Sequence, residues 1–316
     1  MKHSFIFGLP TVLITSLLCS IFLSAPTLAA QTPAQISAQT PPQIDVTIET
    51  DIYHYAQNLL KQDDIAHFTA FDRSYCQRDV VEFVLVQKAL LLGGSRLHFR
   101  FVEGNYDARN VRLVADGLLL ISFDTVWLTH AQQYQAKVYI SDPMIEKGEY
   151  ETAIFVGKKY VENYHVSTLE DLRQLSFVSS KDWPQDWHLL SSIKPKKLLH
   201  EGDWISMAKM VSRGWVDAML IPFTKQQPFV YEGAGYQLQA LPNVKLALDD
   251  SRHFIVSKAH PLGAEVFAAL QRGLRILRER DEIHQAYIKC GFFNPSVQHW
   301  RLLNKSLLEL PVAGQP

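Results

Sequence analysis

The sequence predicts an α/β fold in which mainly parallel sheets are flanked by helices. Three observations carry this. Strand and helix patterns alternate from residue 66 to 121, the alternation resumes after Gly157, and several strand patterns are apolar without a break. Alternating strand, helix and strand implies parallel crossovers. A strand covered on both faces is apolar throughout, not at every second residue.

The first 30 residues stand outside this fold. Lys2 and His3 precede an almost wholly apolar run over 5–22, and small residues follow at 25–30. That is the layout of a secretory signal peptide. The run is near spanning length, so a membrane anchor is the alternative. Small residues directly after the run favour cleavage near Ala30 and an exported, periplasmic protein. Cys19 lies inside the run, a poor position for lipid attachment. Residues 31–45 are rich in Gln, Pro, Ala and Ser with no periodicity, and read as a flexible leader.

Cleavage removes one charged side chain, Lys2, leaving 30 basic residues against 32 acidic ones. So even a balance argues against nucleic acid as a partner. The 286 residues that remain can form one bilobed domain or two small ones. Cys76 and Cys290 also remain, and an exported protein can keep a disulfide. They are far apart in sequence, so pairing depends on the fold, and two separate buried thiols are the alternative.

From residue 52 the periodicity becomes informative. Residues 52–60 have helical spacing and end at Asp63-Asp64; 66–71 alternate as a strand and leave through a polar exit at 72–76. Residues 80–92 form a helix apolar on most faces, stopped by Gly93-Gly94. A second alternating strand covers 97–102, and a short helix over 110–115 closes at Gly117. The apolar run 118–121 reads as a buried strand that breaks into a polar and aromatic loop, 122–129. Ligands of open α/β sheets bind beyond the carboxyl ends of strands, so this loop is the natural site.

Further along, an extended run covers 152–156. Ser167 and Glu170 have capping-box spacing before a short helix. A strand follows at 175–179, then a helix with Asp182 as candidate N-cap and Pro184 in its first turn. Residues 204–212 are helical to Gly214, and strands are expected at 216–221, 244–248 and 253–256. A long helix over 264–280 places Phe267, Leu270, Leu274 and Leu277 on one face, and 283–289 continue helical to Gly291. Arg272, Arg275, Arg278 and Arg280, interleaved with Glu265, Glu279 and Glu282, read as a solvated face.

Taken in order, these segments resemble the periplasmic solute-binding proteins of the type II, amino-acid-binding (family 3) class. Gly117-Leu118-Leu119-Leu120 stands where the family has a Gly-x-x-Asp strand entry. Val138-Tyr139-Ile140-Ser141-Asp142-Pro143 matches its V-x-F-S-x-P-Y turn, and 167–172 its helix after the crossing. Residues 207–218 match M-x-x-L-x-x-G-x-x-D-A, and 254–293 resemble the closing strand and helices. The likeness covers about 66–295 and rests on order and spacing, since no single motif is specific.

The resemblance implies a two-lobed periplasmic-binding-protein type II fold. Lobe 1 would be 45–152 plus 252–316 and lobe 2 153–251, with two crossing strands near 153–155 and 253–255. It implies a monomer that captures a small solute in the interlobe cleft by hinge closure and delivers it to an ABC-type permease. The alternatives are a ligand-sensing module that signals to a membrane sensor, and a lyase-type enzyme on the same fold. One departure matters. The family's Arg, which clamps a ligand carboxylate through a bidentate pair, is replaced by Tyr134, and the Asp of Gly-x-x-Asp by Leu120. A small polar or aromatic solute is therefore expected before a plain amino acid.

Candidate ligand-binding residues follow from position. Arg73 and Tyr75 lie after the first expected strand. Ser122, Asp124, Thr125 and Trp127 lie in the central loop, where Trp can stack on a ring and the hydroxyls can hydrogen-bond. Tyr134 holds the clamp position, Lys181 and Trp183 flank a helix N-terminus, and Asp217 matches a family position. Asp182 beside that N-terminus disfavours an anionic ligand. No His-x-x-x-His or Cys-x-x-Cys pair occurs, so no metal or other cofactor is expected. Gly93-Gly94-Ser95 is neither a phosphate loop nor a nucleophile elbow, and no catalytic residue is expected.

Overall fold

A computed structural model describes residues 43–104, 109–233 and 235–308. The expected signal peptide and the leader up to residue 42 lie outside them. In chain order the elements open with β1 (Gln43–Glu49), α1 (Thr50–Leu60), α2 (Arg78–Leu92), β2 (His98–Gly104) and α3 (Arg109–Ala115). Next come β3 (Val126–Trp127), α4 (Leu128–Gln132), β4 (Val138–Ile145), β5 (Glu151–Gly157), α5 (Leu169–Arg173) and β6 (Ser176–Ser179). They are followed by α6 (Pro184–Ile193), β7 (Lys197–His200), α7 (Trp204–Ser212), β8 (Ala218–Pro222), β9 (Val230–Gly233), β10 (Tyr236–Ala240) and β11 (Val244–Ala247). The chain finishes with β12 (Arg252–Ser257), α8 (Gly263–Glu279), α9 (Glu282–Cys290), β13 (Arg301–Leu302) and α10 (Lys305–Leu308).

The sheets are mixed rather than mainly parallel. β1 pairs parallel with β2, and β6 pairs parallel with both β7 and β8. β5 runs antiparallel to β8, β10 and β11, and β12 antiparallel to β3 and β4. Apart from the antiparallel β9–β10 pair, the reversal falls on the two strands that follow the passages between sheets. The chain leaves β4 and enters β5 through 146–150, and returns from β11 to β12 through 248–251. Both passages lie a few residues before the expected crossings. β13 then pairs with β11, so residues 301–302 rejoin the large sheet instead of staying with the elements around β12.

Local readings are corrected as well. Residues 118–121 form no strand; only Ile121 bridges, to Val256, and Leu118 is exposed. Residues 66–71 are not a strand: Asp64 caps a single 3-10 turn over Ile65–His67, and Phe68 and Phe71 pack edge to face, 5.0 Å apart. The true first strand is β1, whose start at Gln43 lies inside the expected leader. The capping box sits one residue later than read, with Thr168 accepting from the Asp171 N–H while Asp171 accepts from the Thr168 N–H. Asp182 does not cap α6; it pairs with Ser180, and Trp183 holds the N-cap position.

At the centre lies α2, buried from Val80 through Leu90. α8 crosses it closely enough that a Cβ on Gly273 would stand 1.7 Å from the Ala89 carbonyl oxygen. Arg272, expected on a solvated face, instead donates to the Gly93 carbonyl at 3.1 and 2.7 Å and closes the C-terminal end of α2. Gly273→Ala is expected to push the two helices apart and cost ~1–3 kcal/mol. Urea unfolding would check this, and a loss within 0.3 kcal/mol (an approximate measuring error) would refute the close crossing.

A disulfide joins Cys76 to Cys290, with Cα atoms 5.4 Å apart, and fixes the end of α9 beside the start of α2. Among the described residues no helix is long and apolar enough to cross a membrane.

Candidate functional site

Two guanidiniums and four carboxylates gather where both passages meet the first turn of α2. Arg78 opens α2 and donates from Nη1 to both oxygens of Glu82, one turn on, at 2.8 and 2.9 Å. Its other terminal nitrogen pairs with Asp79. Glu82 is fully buried and also accepts from the Thr125 N–H at 3.1 Å. Burial alone would raise its carboxyl, but Arg78, Arg252 and Thr125 together hold it below its usual value.

Arg252 is the first residue of β12. Its Nε donates to Thr125 Oγ1 at 2.7 Å, and Nη2 donates to the Thr125 carbonyl. The guanidinium lies over the Trp127 ring, 4.6 Å from its centre, a cation–π stack. Trp127 meets Tyr150, at the end of the first passage, at 5.1 Å and 50°.

Asp124 is the unusual member. Its side chain is 57% accessible, and among the described residues no hydrogen bond holds it; Arg78 and Arg252 stand 3.8 and 3.7 Å away. Burial, with Asp79 and Glu82 beside it, still raises its pKa well above the carboxylate range. From α6, Asp186 is pushed up to about 6 by burial, against the pull of Arg252 and Arg78. Its neighbour Gln185 donates to Thr129 Oγ1 at 2.6 Å and Asp250 Oδ2 at 2.7 Å, tying α6 to the start of α4 and the second passage.

Oxygens of Asp79, Glu82 and Asp124 lie within 4.8 Å of one another, close enough to hold a cation. Both Glu82 oxygens already accept from Arg78, however, and Arg78 also pairs with Asp79. A metal ion would have to displace that guanidinium.

No family model and no curated protein matches this sequence. Solved structures do match. The probable amino-acid ABC transporter extracellular-binding protein YtmK of Bacillus subtilis superposes with a TM-score of 0.53 at 13% identity, over 79% of this chain and 98% of that one. The fold is that of the type II periplasmic binding proteins. An amino acid ABC transporter substrate-binding protein from Streptococcus pneumoniae, bound to L-arginine, gives 0.49 at 17% identity, over 69% and 85%.

Within this type II fold, the expected site residues separate into two groups. Asp124, Thr125 and Trp127 belong to the cluster, and Ser122 lies buried just before them, its Oγ accepting from the Ile255 N–H at 3.4 Å. The others lie apart. Arg73 donates to Asp63 at 2.5 Å and to the Leu59 carbonyl, and exposed Tyr75 stacks on Tyr55. Tyr134 packs against the apolar group around Val111 and Ile255, with His130 at 5.9 Å. Lys181 lies over the Trp187 ring, and Trp183 packs against the core around Phe155 and Met207. Asp217 is a brace: it accepts from the Ser176 N–H and Oγ at 2.7 and 2.6 Å and from the Tyr164 hydroxyl at 3.0 Å.

Sequence reasoning missed Arg78, Asp79, Glu82, Tyr150, Gln185, Asp186, Asp250 and Arg252. A signal existed for Glu82. A helix apolar on most faces has no solvated side for a charge, so an acid inside it with Arg four residues earlier points to a buried pair.

Proposed function

We propose that the protein is an exported solute-binding protein, cleaved near Ala30, that holds a small polar or aromatic solute between two lobes. Lobe 1 would comprise 45–152 plus 252–316 and lobe 2 153–251. Closure would be hinge motion at the passages 146–150 and 248–251, with the ligand favouring the closed form by its differential affinity. Delivery to an ABC-type permease by a monomeric carrier completes the reading; the matched Bacillus subtilis protein is described as a transporter's extracellular-binding protein.

One observation supports this most. Trp127 and Tyr150 meet beside Asp124 and the two guanidiniums, where a hinged cleft would close, and Gln185 of α6 reaches the same region. The Gln185 contacts to Thr129 and Asp250 would then be a latch of the closed form.

Raised carboxyls favour a second reading, an enzyme of the lyase type on this fold. Asp186, at about 6, could hold or release a proton near neutrality, and Asp124 is also raised above its usual value.

A thermal-shift screen of the chain from Gln31 against amines, amino acids, nucleosides, sugars and organic acids tests the proposal. A ligand at a hundredfold excess over its Kd should add ~2.7 kcal/mol of apparent stability. Trp127→Ala and Trp127→Phe should keep the fold while Ala loses the shift. A shift that decays as a new product forms would favour the enzyme. No shift with any class would overturn the binding reading.

A further inference from the structure

Resting on the hinged, two-lobed reading above, we infer that the chain passes between the lobes a third time, through 291–293. Residues 294–304 are then a strap fixed to lobe 2 that limits how far the cleft opens. The division by chain order leaves 294–304 with lobe 1. Its partners say otherwise. Among the described residues, every hydrogen bond from this segment to an earlier part of the chain ends within 153–251.

The strap is fastened along its length. Asn294 Nδ2 donates to the Thr224 carbonyl at 2.8 Å, and Gln227 pairs with Ser296. Val297 is fully buried in the apolar group around Phe155 and Met207, and the Trp300 ring meets Phe223 and Phe229 edge to face at 5.5 and 5.6 Å. Arg301 and Leu302 pair parallel with Val244 and Lys245 of β11, and Arg301 Nη1 donates to the Ser167 carbonyl at 3.1 Å. Asn304 closes the far end. It is fully buried, and its side chain takes the Ala247 N–H at 3.0 Å while donating to the Ala247 carbonyl at 2.8 Å. A side-chain amide that pairs with both groups of one peptide stands in for a further β-strand residue.

The other end is held by lobe 1. Cys290 ends α9 and is bonded to Cys76, so 291–293 leave from a fixed point. Gly291 turns there at φ +87°, and a Cβ on it would stand 2.3 Å from the Lys225 nitrogen. Phe292 lies 4.9 Å from Tyr150 at the end of the first passage, and the Tyr150 carbonyl accepts from the Leu248 N–H of the second at 2.9 Å. The third passage therefore runs beside the other two.

Its shortness gives it an effect. Even fully extended, 291–293 reach only roughly 10 Å, so lobe 2 can move away from α9 only as far as the turn at Gly291 unwinds. A cleft that opens less leaves a ligand less motion to arrest, which favours affinity through preorganisation.

Spin labels on Leu118→Cys in lobe 1 and Trp215→Cys in lobe 2, residues 71% and 67% exposed, read the separation of the lobes by pulsed electron resonance. Inserting about six Gly and Ser residues between Phe293 and Asn294 adds roughly 20 Å of slack and keeps the contacts at both ends. The ligand-free parent should give one narrow distance. The insertion should give a broader distribution that reaches longer distances, with an unchanged far-ultraviolet dichroism spectrum. Asn304→Ala, which unfastens the lobe-2 end, should shift the distribution the same way. Distributions that coincide in the parent and both variants would overturn the strap, and the binding reading would still be decided by the thermal-shift screen. Broadening in the variants with no thermal shift for any ligand class would support the strap and overturn the binding reading.

Discussion

Replacing Glu82 with alanine is expected to destabilise the protein by ~3–5 kcal/mol. The reason is what stays behind. Glu82 is fully buried, and its two oxygens take both Arg78 bonds and one from the Thr125 N–H. Arg252 stands 3.9 Å away, and the Tyr287 hydroxyl donates to the same carboxylate at 3.4 Å. Without Glu82, Arg78 and Arg252, with side chains 15% and 9% exposed, repel each other in a desolvated space. Urea unfolding of Glu82→Ala measures the loss. Glu82→Gln should lose less, since it keeps the acceptor and part of the shape. The double change Arg78→Met with Glu82→Leu should recover part of it, because an apolar pair often replaces a buried ion pair without loss. A loss in Glu82→Ala below about 1 kcal/mol would show that water reaches this carboxylate.

The same network gives the stability a pH signature. Glu82 titrates below its usual value, so its contribution is complete above the unfolded pKa and is lost as pH falls through the folded one. Asp186 works in the opposite sense. Its folded value of about 6 exceeds the ordinary 3.8, so the native state keeps a proton that the unfolded chain gives up, and stability falls as pH rises across that interval. In Asp186→Asn that decline should shrink.

Which parts of this were legible in the sequence follows from the range of the forces involved. α2, α7, α8 and α9 were readable because their periodicity is local and their stops at Gly93, Gly214 and Gly291 are local as well. The loop carrying Asp124, Thr125 and Trp127 was readable because an apolar run ends there. Arg252 was not, because its partner Thr125 lies 127 residues away and nothing in its own neighbourhood marks it. Asp217 is the converse case. A family motif placed it correctly in the chain, but its oxygens serve Ser176 and Tyr164, partners at separations of 41 and 53 residues. The alternation over 66–71 misled because six residues are too few to separate a strand from aromatics spaced by one 3-10 turn.

Removing the disulfide by a double Cys76→Ser, Cys290→Ser change is expected to cost ~3–5 kcal/mol. The bond spans 214 residues, so its loss releases nearly the whole folded chain in the unfolded ensemble. The native state loses an anchor too. Cys76 lies two residues before Arg78, and Cys290 ends the helix whose Tyr287 meets Glu82. Without the bond, α9 would rest on α2 through Tyr287 and through the Lys88–Glu282 pair at 2.5 Å. The two parts can be separated. Urea midpoints of the oxidised protein and the double Ser variant, each with and without reductant, give the total loss. Amide exchange in the first turn of α2 then reports whether the native state has loosened. Faster exchange at Arg78 and Asp79 with the rest of α2 unchanged would place a share of the effect at the site; uniform protection would place all of it in the unfolded chain. A midpoint that neither the substitutions nor the reductant move would refute the disulfide itself.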